Sequence, residues 1–374
     1  MKQIVNVKRG LFAAALLLTM VNIGCTKKEI SAVGADGRYK LTVGRLGASS
    51  LISPMVLIAT EKQYFDKYNV DIDLKLMDSA TSSEALSMGK MDCIYQEFNQ
   101  QMASADQGAK ITIFAGNRSG GVYVIARKED AEELYDIANW KGKTIGLIGP
   151  TTNIDYITDY VLRNDYGIDT DKDVKYFKLN DMVSLQQALK RGQVDITFAD
   201  PLYTETLDEQ GLTILYPLSH VQKDYVCCRQ MAWTTAFEAK PDAYKNYLKA
   251  QILAYRDYYT DRDAAIKLLL AASGQDEDYV VNYIYDRSKN ADKYFNPDPN
   301  YNGVLAQFKS MIRLGYTPGA RELYEFFNIS VYASALKEIL QEYPGDPYFT
   351  DLKELFLKNN NQYPDFEKTY KTYF

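Results

Sequence analysis

Two carboxylates, Glu97 and Asp200, stand 103 residues apart at the same point of a repeated template. Carboxylates so placed can accept charge-assisted hydrogen bonds from the amino groups of a small molecule. The first copy reads Ala85-Leu86-x-x-Gly89-x-x-Asp92-Cys93-Ile94 and the second Ala188-Leu189-x-x-Gly192-x-x-Asp195-Ile196. Each has the grammar of a helix that ends on glycine, turns within about three residues and enters a short buried strand. The strands run into Gln96-Glu97-Phe98-Asn99 in one copy and Ala199-Asp200-Pro201 in the other. The repeat predicts two α/β lobes of similar build, and ligands of open α/β sheets bind beyond the carboxyl ends of strands. The bland reading of Glu97 and Asp200 is a solvated loop charge.

Other groups with binding chemistry fall at expected strand ends. Ser49 and Ser50 follow the first strand, Gln96 precedes Glu97, and Asn117, Arg118 and Ser119 follow an apolar run at Ile111–Phe114. Arg118 could hold an anion, and Phe98 and Tyr203 could stack on a flat ring. Thr151, Thr152 and Asn153 open a helix whose unsatisfied N–H groups suit an anion or a carbonyl oxygen, though plain N-capping explains them equally. Asn180-Asp181 opens the helix of the second copy, where capping is the first expectation. Cys227-Cys228 lies in an expected strand, and adjacent strand residues point to opposite faces, so the two thiols are not expected to share a metal. They read as buried packing, with one cleft contact from Cys228.

Composition removes several classes. His220 is the single histidine, so sites needing two or three imidazoles are excluded, among them most zinc hydrolases and non-haem iron enzymes. No G-x-S-x-G accompanies His220, which sits in an expected loop, Tyr216–His220. Gly142-Lys143-Thr144 imitates the tail of a phosphate loop but leads into a strand. The net charge of −6 argues against nucleic acid as a partner. No cofactor and no metal is expected. The 31 tyrosines, many of them after Tyr244, read as half-buried faces of packing helices.

The elements that must position these groups follow from periodicity. Residues 1–24 read as a signal peptide: Lys2, Lys8 and Arg9, then an apolar stretch Leu11–Val21, ending at Gly24-Cys25. Cleavage there leaves 40 basic and 49 acidic residues, a charge of 40 − 49 = −9. Residues 25–38 read as a tether. Strands are expected at Leu41–Leu46 and Val70–Leu76, with a helix from Pro54 to Phe65 between them. Val122–Ala126 crosses to a second lobe containing strands Lys143–Ile148, Val174–Leu179 and Val194–Phe198. Tyr225–Trp233 returns to the first lobe. From Pro241 the pattern is helical to Phe374, broken at Asn296–Pro299 and Tyr343–Gly345. The expected division is lobe I over 39–122, lobe II over 123–222, lobe I again over 223–342, and a helical C-terminal extension over 343–374.

Tyr64-Phe65-Asp66-Lys67-Tyr68-Asn69-Val70-Asp71-Ile72 resembles the G-Y-F-x-x-x-G-L-x-V stretch of the solute-binding lipoproteins of ABC importers, in their nitrate/sulfonate/taurine and thiamine-pyrimidine (NMT-like) branch. Gln63 and Asn69 stand where that family usually has glycine, and Asn tolerates the left-handed turn better. Pro54 with Ala59-Thr60-Glu61 is similar to the family's early pattern. Asn139-Trp140-Lys141-Gly142-Lys143-Thr144-Ile145 resembles its D-L-K-G-K-x-I, and Leu189-x-x-Gly192-x-x-Asp195 with Asp200-Pro201 resembles its G-x-x-D-a-x-x-x-x-E-P. Tyr225–Arg229 occupies its return strand, where a thiamine-pyrimidine-forming branch has a longer cysteine run and Phe-Gly; Arg229-Gln230 stands here instead. Asn22-Ile23-Gly24-Cys25 resembles the lipoprotein box, with Asn22 where an aliphatic residue is usual.

The resemblance implies an α/β, two-lobe periplasmic-binding-protein type II fold with a helical C-terminal region. It implies a lipid-anchored monomer in the bacterial cell envelope, on the periplasmic or extracellular side, that binds a small molecule and hands it to an ABC permease without covalent chemistry. A sulfonate or nitrate would use Arg118 and the helix start at Thr151–Asn153. A thiamine-precursor pyrimidine would use Glu97, Asp200, Phe98 and Tyr203, and this ligand is slightly favoured. The alternative is an enzyme on the same fold, a thiamine-pyrimidine synthase-like protein or a lyase; a weaker one is a surface interaction protein using the helical C-terminus. The lipoprotein box generates its own test. Two or more acyl chains give stable anchoring, at about 0.8 kcal/mol per buried CH₂. Cys25→Ser should therefore release the protein from the membrane fraction or leave it unprocessed; unchanged fractionation and N-terminal mass would refute acylation.

Overall fold

The computed structural model describes residues 33–46, 53–148, 152–201, 204, 206–222, 225–285 and 291–374. The two repeat copies fold alike down to single hydrogen bonds. Asp78 caps helix Ser79–Ser87 by accepting the Thr81 N–H at 2.8 Å, and Asp181 caps helix Met182–Lys190 by accepting the Ser184 N–H at 2.7 Å. Both helices end in the same motif. Gly89 (φ 67°) and Gly192 (φ 70°) are left-handed, and the following N–H groups of Lys90 and Gln193 return to the carbonyls of Ala85 and Ala188 at 2.8 and 2.9 Å. The Ala-Leu pair of the template thus supplies the carbonyls that the glycine turn satisfies. Asp92 then accepts the Thr42 N–H through Oδ2 at 2.8 Å, and Asp195 accepts the Thr144 N–H at the same distance. Both carboxylates are neutralised from the next layer, Asp92 by Lys240 at 2.8 Å and Asp195 by Arg127 at 3.4 Å.

The strands are β1 (Tyr39–Leu46), β2 (Val70–Met77), β3 (Cys93–Glu97), β4 (Ile111–Ser119), β5 (Tyr123–Arg127), β6 (Thr144–Ile148), β7 (Lys175–Leu179), β8 (Ile196–Ala199), β9 (Leu212–Pro217), β10 (Val226–Trp233) and β11 (Tyr294–Phe295). They form two sheets, ordered β2-β1-β3-β10-β4-β11 and β7-β6-β8-β5-β9. β1 lies parallel to β2 and β3, and β6 parallel to β7 and β8. In each sheet the crossover strand runs antiparallel to its neighbours, β10 in the first and β5 in the second, and the edge strand β11 is antiparallel to β4 as well. In the second sheet β5 shows the period of two that a strand covered on both faces requires. Val124 and Ala126 pack on one face with Ile145 and Phe198, while Tyr123 and Ile125 pack on the other with Leu189 and Leu212.

Three elements depart from sequence expectation. β4 runs through Gly116–Ser119, because β10 and β11 carry its hydrogen bonds on both sides. β9 forms where a loop was expected around Tyr216, paired with β5. The helix from Pro54 breaks at Gln63 into Pro54–Glu61 and Tyr64–Lys67. The late tyrosines are core: Tyr244, Tyr247 and Tyr332 are wholly buried, and Tyr244 meets Phe114 edge-on at 5.2 Å. Residues after Tyr343 join the same core through Phe349, Leu352, Phe356 and Phe366. The amides of Asn359 and Asn360 donate to the buried Asp298 carboxylate, each at 3.1 Å.

Gln63 (φ 57°) and Asn69 (φ 59°), the two positions where the resemblance leads one to expect glycine, are both left-handed. An L-residue pays roughly 1–2 kcal/mol there, and glycine's extra unfolded-state freedom returns about 0.5–1 of it. Exposed Gln63 makes no side-chain cap bond, whereas Asn69 donates to the Gly37 carbonyl at 3.0 Å. Gln63→Gly should stabilise the chain by about 0.5–1 kcal/mol in urea unfolding, and Asn69→Gly should gain less or nothing. A lower unfolding midpoint for Gln63→Gly would contradict this.

Candidate functional site

The ends of β3 and β4 in the first sheet and of β8 in the second converge where the chain crosses between lobes. The crossing is tight: Gly120 donates to the Tyr225 carbonyl at 3.2 Å and Gly121 to the Ala291 carbonyl at 2.9 Å. A Cβ on Gly121 would lie 2.6 Å from Cε of Lys293, so the backbone passes flat against that side chain.

β10 is irregular at the site. Val226 pairs with Ser119, Cys228 with Arg118 and Arg229 with Gly116, so Cys227 is an extra residue against β4. A bulge of this kind re-aims side chains. Consequently the two thiols do not point to opposite faces; their Sγ atoms lie 3.4 Å apart. Arg118 donates from Nη2 to Cys227 Sγ at 2.9 Å. Cys228, buried, sits opposite Glu97 in the register with β3, and the charge of Glu97 acts on it. From the second sheet, the charge of Asp200 acts on Tyr225 and on Lys293. Glu97 and Asp200, the equivalent strand ends, therefore border one cluster made of Arg118, Cys227, Cys228, Tyr225 and Lys293.

Burial and charge set the protonation states. The hydrogen bond from Cys228, with the positive charges of Arg118 and Lys293, holds the Cys227 thiol well below the usual thiol range against the opposing pull of burial. Its hydrogen bond to Cys227 and its own burial keep Cys228 protonated. Lys293 is 1% exposed, and burial brings its ammonium down to about 7, with Asp200 opposing the shift. Burial lowers Arg229, beneath the bulge, to about 10; its Nη1 donates to the Cys228 carbonyl at 2.8 Å. The hydroxyl of Tyr225 and Nδ2 of Asn117, both buried, have no hydrogen-bond partner among the described residues.

Several expected site residues have other work. Phe98 is fully buried in the first lobe's core and cannot stack on a ligand, because the chain turns into helix Asn99–Asp106 there and drives the ring inward. Gln96 is buried, accepting from Ser82 and donating to Ser83 at 2.8 Å. Ser119 is buried at the meeting of β4, β10 and β11. Asp181 is an exposed N-cap. Thr152 precedes helix Asn153–Asn164 without a side-chain cap bond, its hydroxyl donating to the Ile148 carbonyl at 3.3 Å. Ser49, Ser50, Thr151, Tyr203 and Cys25 lie outside the described residues. Cys227 and Lys293 were not anticipated. The bulge that recruits Cys227 has no sequence signature, and Lys293 arrives from an irregular segment after the helices. His220 is exposed, its ring 5.0 Å from that of Tyr216 and 6.1 Å from that of Tyr135.

Beside the cluster, helix Asn153–Asn164 of the second lobe packs on helix Tyr301–Arg313 of the first. Buried Asp159 accepts from Arg313 Nε at 2.7 Å, from Arg163 Nε at 3.2 Å and from Ser310 Oγ at 3.3 Å. Asp155 pairs with Lys178 at 2.8 Å, and Lys178 in turn reaches the Tyr316 hydroxyl. A groove of about 450 Å³ lined by Ile58, Lys62, Asp257 and Leu268 lies among first-lobe helices and includes no strand end.

Two sheets of one topology, exchanging crossover strands and bordering a shared cluster, define the two-lobed periplasmic-binding-protein type II fold. Residues 53–281 match the family model described as NMT1/THI5 like, which is 229 of the 374 residues, and the chain belongs to that family. The structure resembles the periplasmic sulfonate-binding protein SsuA from Methylobacillus flagellatus KT, with TM-score 0.65, 15% identity, and coverage of 82% of this chain and 96% of that one. The periplasmic nitrate-binding protein NrtA from Synechocystis PCC 6803 gives TM-score 0.58 at 14% identity, over 83% and 90%. The desulfurization enzyme DSZB shares the fold at TM-score 0.51 and 13% identity, over 81% and 100%. No curated protein matches by sequence.

The thiolate at Cys227 gives a pH test. An ordinary thiol gains more than ~10-fold in alkylation rate between about pH 7 and 8.5 as it ionises. Cys227, already ionised, should show a nearly flat rate across that range by peptide mass spectrometry, and Arg118→Ala should restore part of the slope. A steep wild-type profile would refute the ionised state.

Proposed function

We propose that this protein is a lipid-anchored, extracytoplasmic solute receptor that captures a small molecule between its lobes and delivers it to an ABC permease. The observation that carries the reading is the meeting of Glu97 and Asp200, ends of equivalent strands in the two lobes, on one cluster with Arg118. Ligand capture between lobes needs groups from both, and these are the groups the repeat supplies. The family membership and the resemblance to solute-binding proteins support the same role.

The ligand class we favour is a flat nitrogenous compound, such as a thiamine-precursor pyrimidine. Glu97 and Asp200 can accept from its amino groups, and the Tyr225 hydroxyl and the Asn117 amide can serve its ring nitrogens or oxygens. A second reading, an alkanesulfonate or nitrate, is favoured by the two cations Arg118 and Lys293. Arg118 engages Cys227 through Nη2, so an anion would share the guanidinium with that sulfur. The two carboxylates, one from each lobe, weigh toward the first reading.

Substitutions separate the two. A charge-assisted hydrogen bond contributes roughly 1.5–3 kcal/mol, or about ten- to a hundred-fold in affinity. For an amino-bearing ligand, Glu97→Gln or Asp200→Asn should weaken binding by that factor and Arg118→Ala by less. For an anion the order reverses, and Glu97→Gln is neutral or favourable. Titration calorimetry of the three variants with a thiamine-precursor pyrimidine and with an alkanesulfonate reads the difference. If none of the three alters the affinity of a ligand that binds, the binding site lies elsewhere.

A further inference from the structure

Cys227 and Cys228 carry chemistry that solute capture does not use. The bulge in β10 turns two neighbouring thiols to the same side, 3.4 Å apart. They differ in access: Cys227 is half-buried and Cys228 is 3% exposed. They differ in electrostatics as well: Arg118 donates from Nη2 to Cys227 Sγ at 2.9 Å. One thiol is thus equipped to attack from the surface and its neighbour to resolve from within. Cys93, wholly buried in the core, has no part in this arrangement.

We propose that Cys227 and Cys228 are a redox-active dithiol that closes to a vicinal disulfide when it meets an oxidising disulfide. The thiolate of Cys227 attacks one sulfur of the incoming disulfide, forming a mixed disulfide and expelling one thiolate. Cys228 then gives up its proton to that thiolate or to solvent and attacks Sγ of Cys227, expelling the second thiolate. The protein loses two electrons and the incoming disulfide gains them, leaving two reduced thiol groups on the oxidant's side. Thiolate character and access govern the first step. Adjacent Cα atoms lie about 3.8 Å apart, below the usual disulfide span of about 4.4 Å and more, so the ring is strained and readily reduced again. Such a bond is a reversible modification and not a structural staple. It removes the negative charge that Arg118 now meets, and so changes the electrostatics of the cluster between the two carboxylates. The step does not depend on which solute the lobes take.

The test uses the full chain and oxidised glutathione. After incubation, alkylation of remaining thiols and trypsin digestion without reductant, the peptide 224–229 holds both sulfurs. It should be recovered unalkylated and lighter by two hydrogens, and dithiothreitol should restore two alkylatable thiols. Cys228→Ser should stop at a glutathione adduct on Cys227. Cys227→Ser should acquire neither adduct nor ring, and Arg118→Ala should slow the first step about tenfold. Recovery of the wild-type peptide with both thiols alkylated would overturn the proposal. So would a glutathione adduct that persists in the wild type, since Cys228 would then not resolve it.

Discussion

In each lobe a single aspartate fixes the strand that bears the site carboxylate against the strand that opens the lobe. Asp92 and Asp195 each hold a strand's N–H through a carboxylate oxygen and are themselves neutralised by Lys240 and Arg127. Hydrogen bonds to charged groups contribute about 1.5–3 kcal/mol each, but the larger consequence is register. A slip of one residue would turn every side chain of a strand to the other face. With Gly89 and Gly192 setting the angle of the turn before them, β3 and β8 leave their helices identically. Glu97 and Asp200 therefore emerge at matching places, and everything at the cluster follows from that match.

Against this regular frame, β10 supplies an irregularity. Its pairing with β3 is in step from Cys228 to Ala232, while its pairing with β4 slips on either side of Cys228. The irregularity lies in the pairing with β4, where Arg118 is the neighbour, while β3 ends at Glu97 opposite Cys228. A regular strand would have sent Cys227 away from Cys228 and left Arg118 without its thiolate. The buried Arg229 beneath, lying in the field of Asp298, anchors the bulge from the core side through its bond to the Cys228 carbonyl. Asp298 is in turn held by Asn359 and Asn360, so the last helices of the chain support the site through two intermediate charges.

What the sequence disclosed follows from how local each signal is. The repeat was legible because a helix cap, a glycine turn and an aspartate bonded to the neighbouring strand use side chains at fixed spacing. The left-handed turns at Gln63 and Asn69 became legible only through resemblance, since neither residue type announces that conformation. Phe98 could not be placed from its neighbours: whether a ring after a strand end faces the cleft or the core depends on how the next helix departs. The length of β4 and the existence of β9 depend on partners distant in sequence. The proximity of the thiols depends on a mismatch between two pairings, and no single segment encodes a mismatch. Lys293 reaches the cluster through left-handed Ala291 and Asp292, a path without a motif.

The contact between helices Asn153–Asn164 and Tyr301–Arg313 bears on how a ligand would act in the proposed receptor. Asp159 is 1% exposed and receives bonds from both lobes. Arg163, from the same lobe, stays paired with Asp159 when Arg313 withdraws, and Arg313 is 30% exposed. Parting the helices here therefore costs less than the roughly 3–5 kcal/mol of leaving a buried charge unpaired. The contact between the two helices is accordingly held by the protein alone. A ligand shifts the open–closed balance only by its differential affinity for the two forms, and moving a balance from 1:99 to 99:1 takes about 5.5 kcal/mol. The ligand-free ratio already contains the clasp between the helices, so differential contacts of the ligand supply the whole shift. Two charge-assisted bonds, one to Glu97 and one to Asp200, reach that size at the upper end of about 1.5–3 kcal/mol each. A site with few ligand contacts and mixed charge can then still control closure, provided that its contacts come from both lobes.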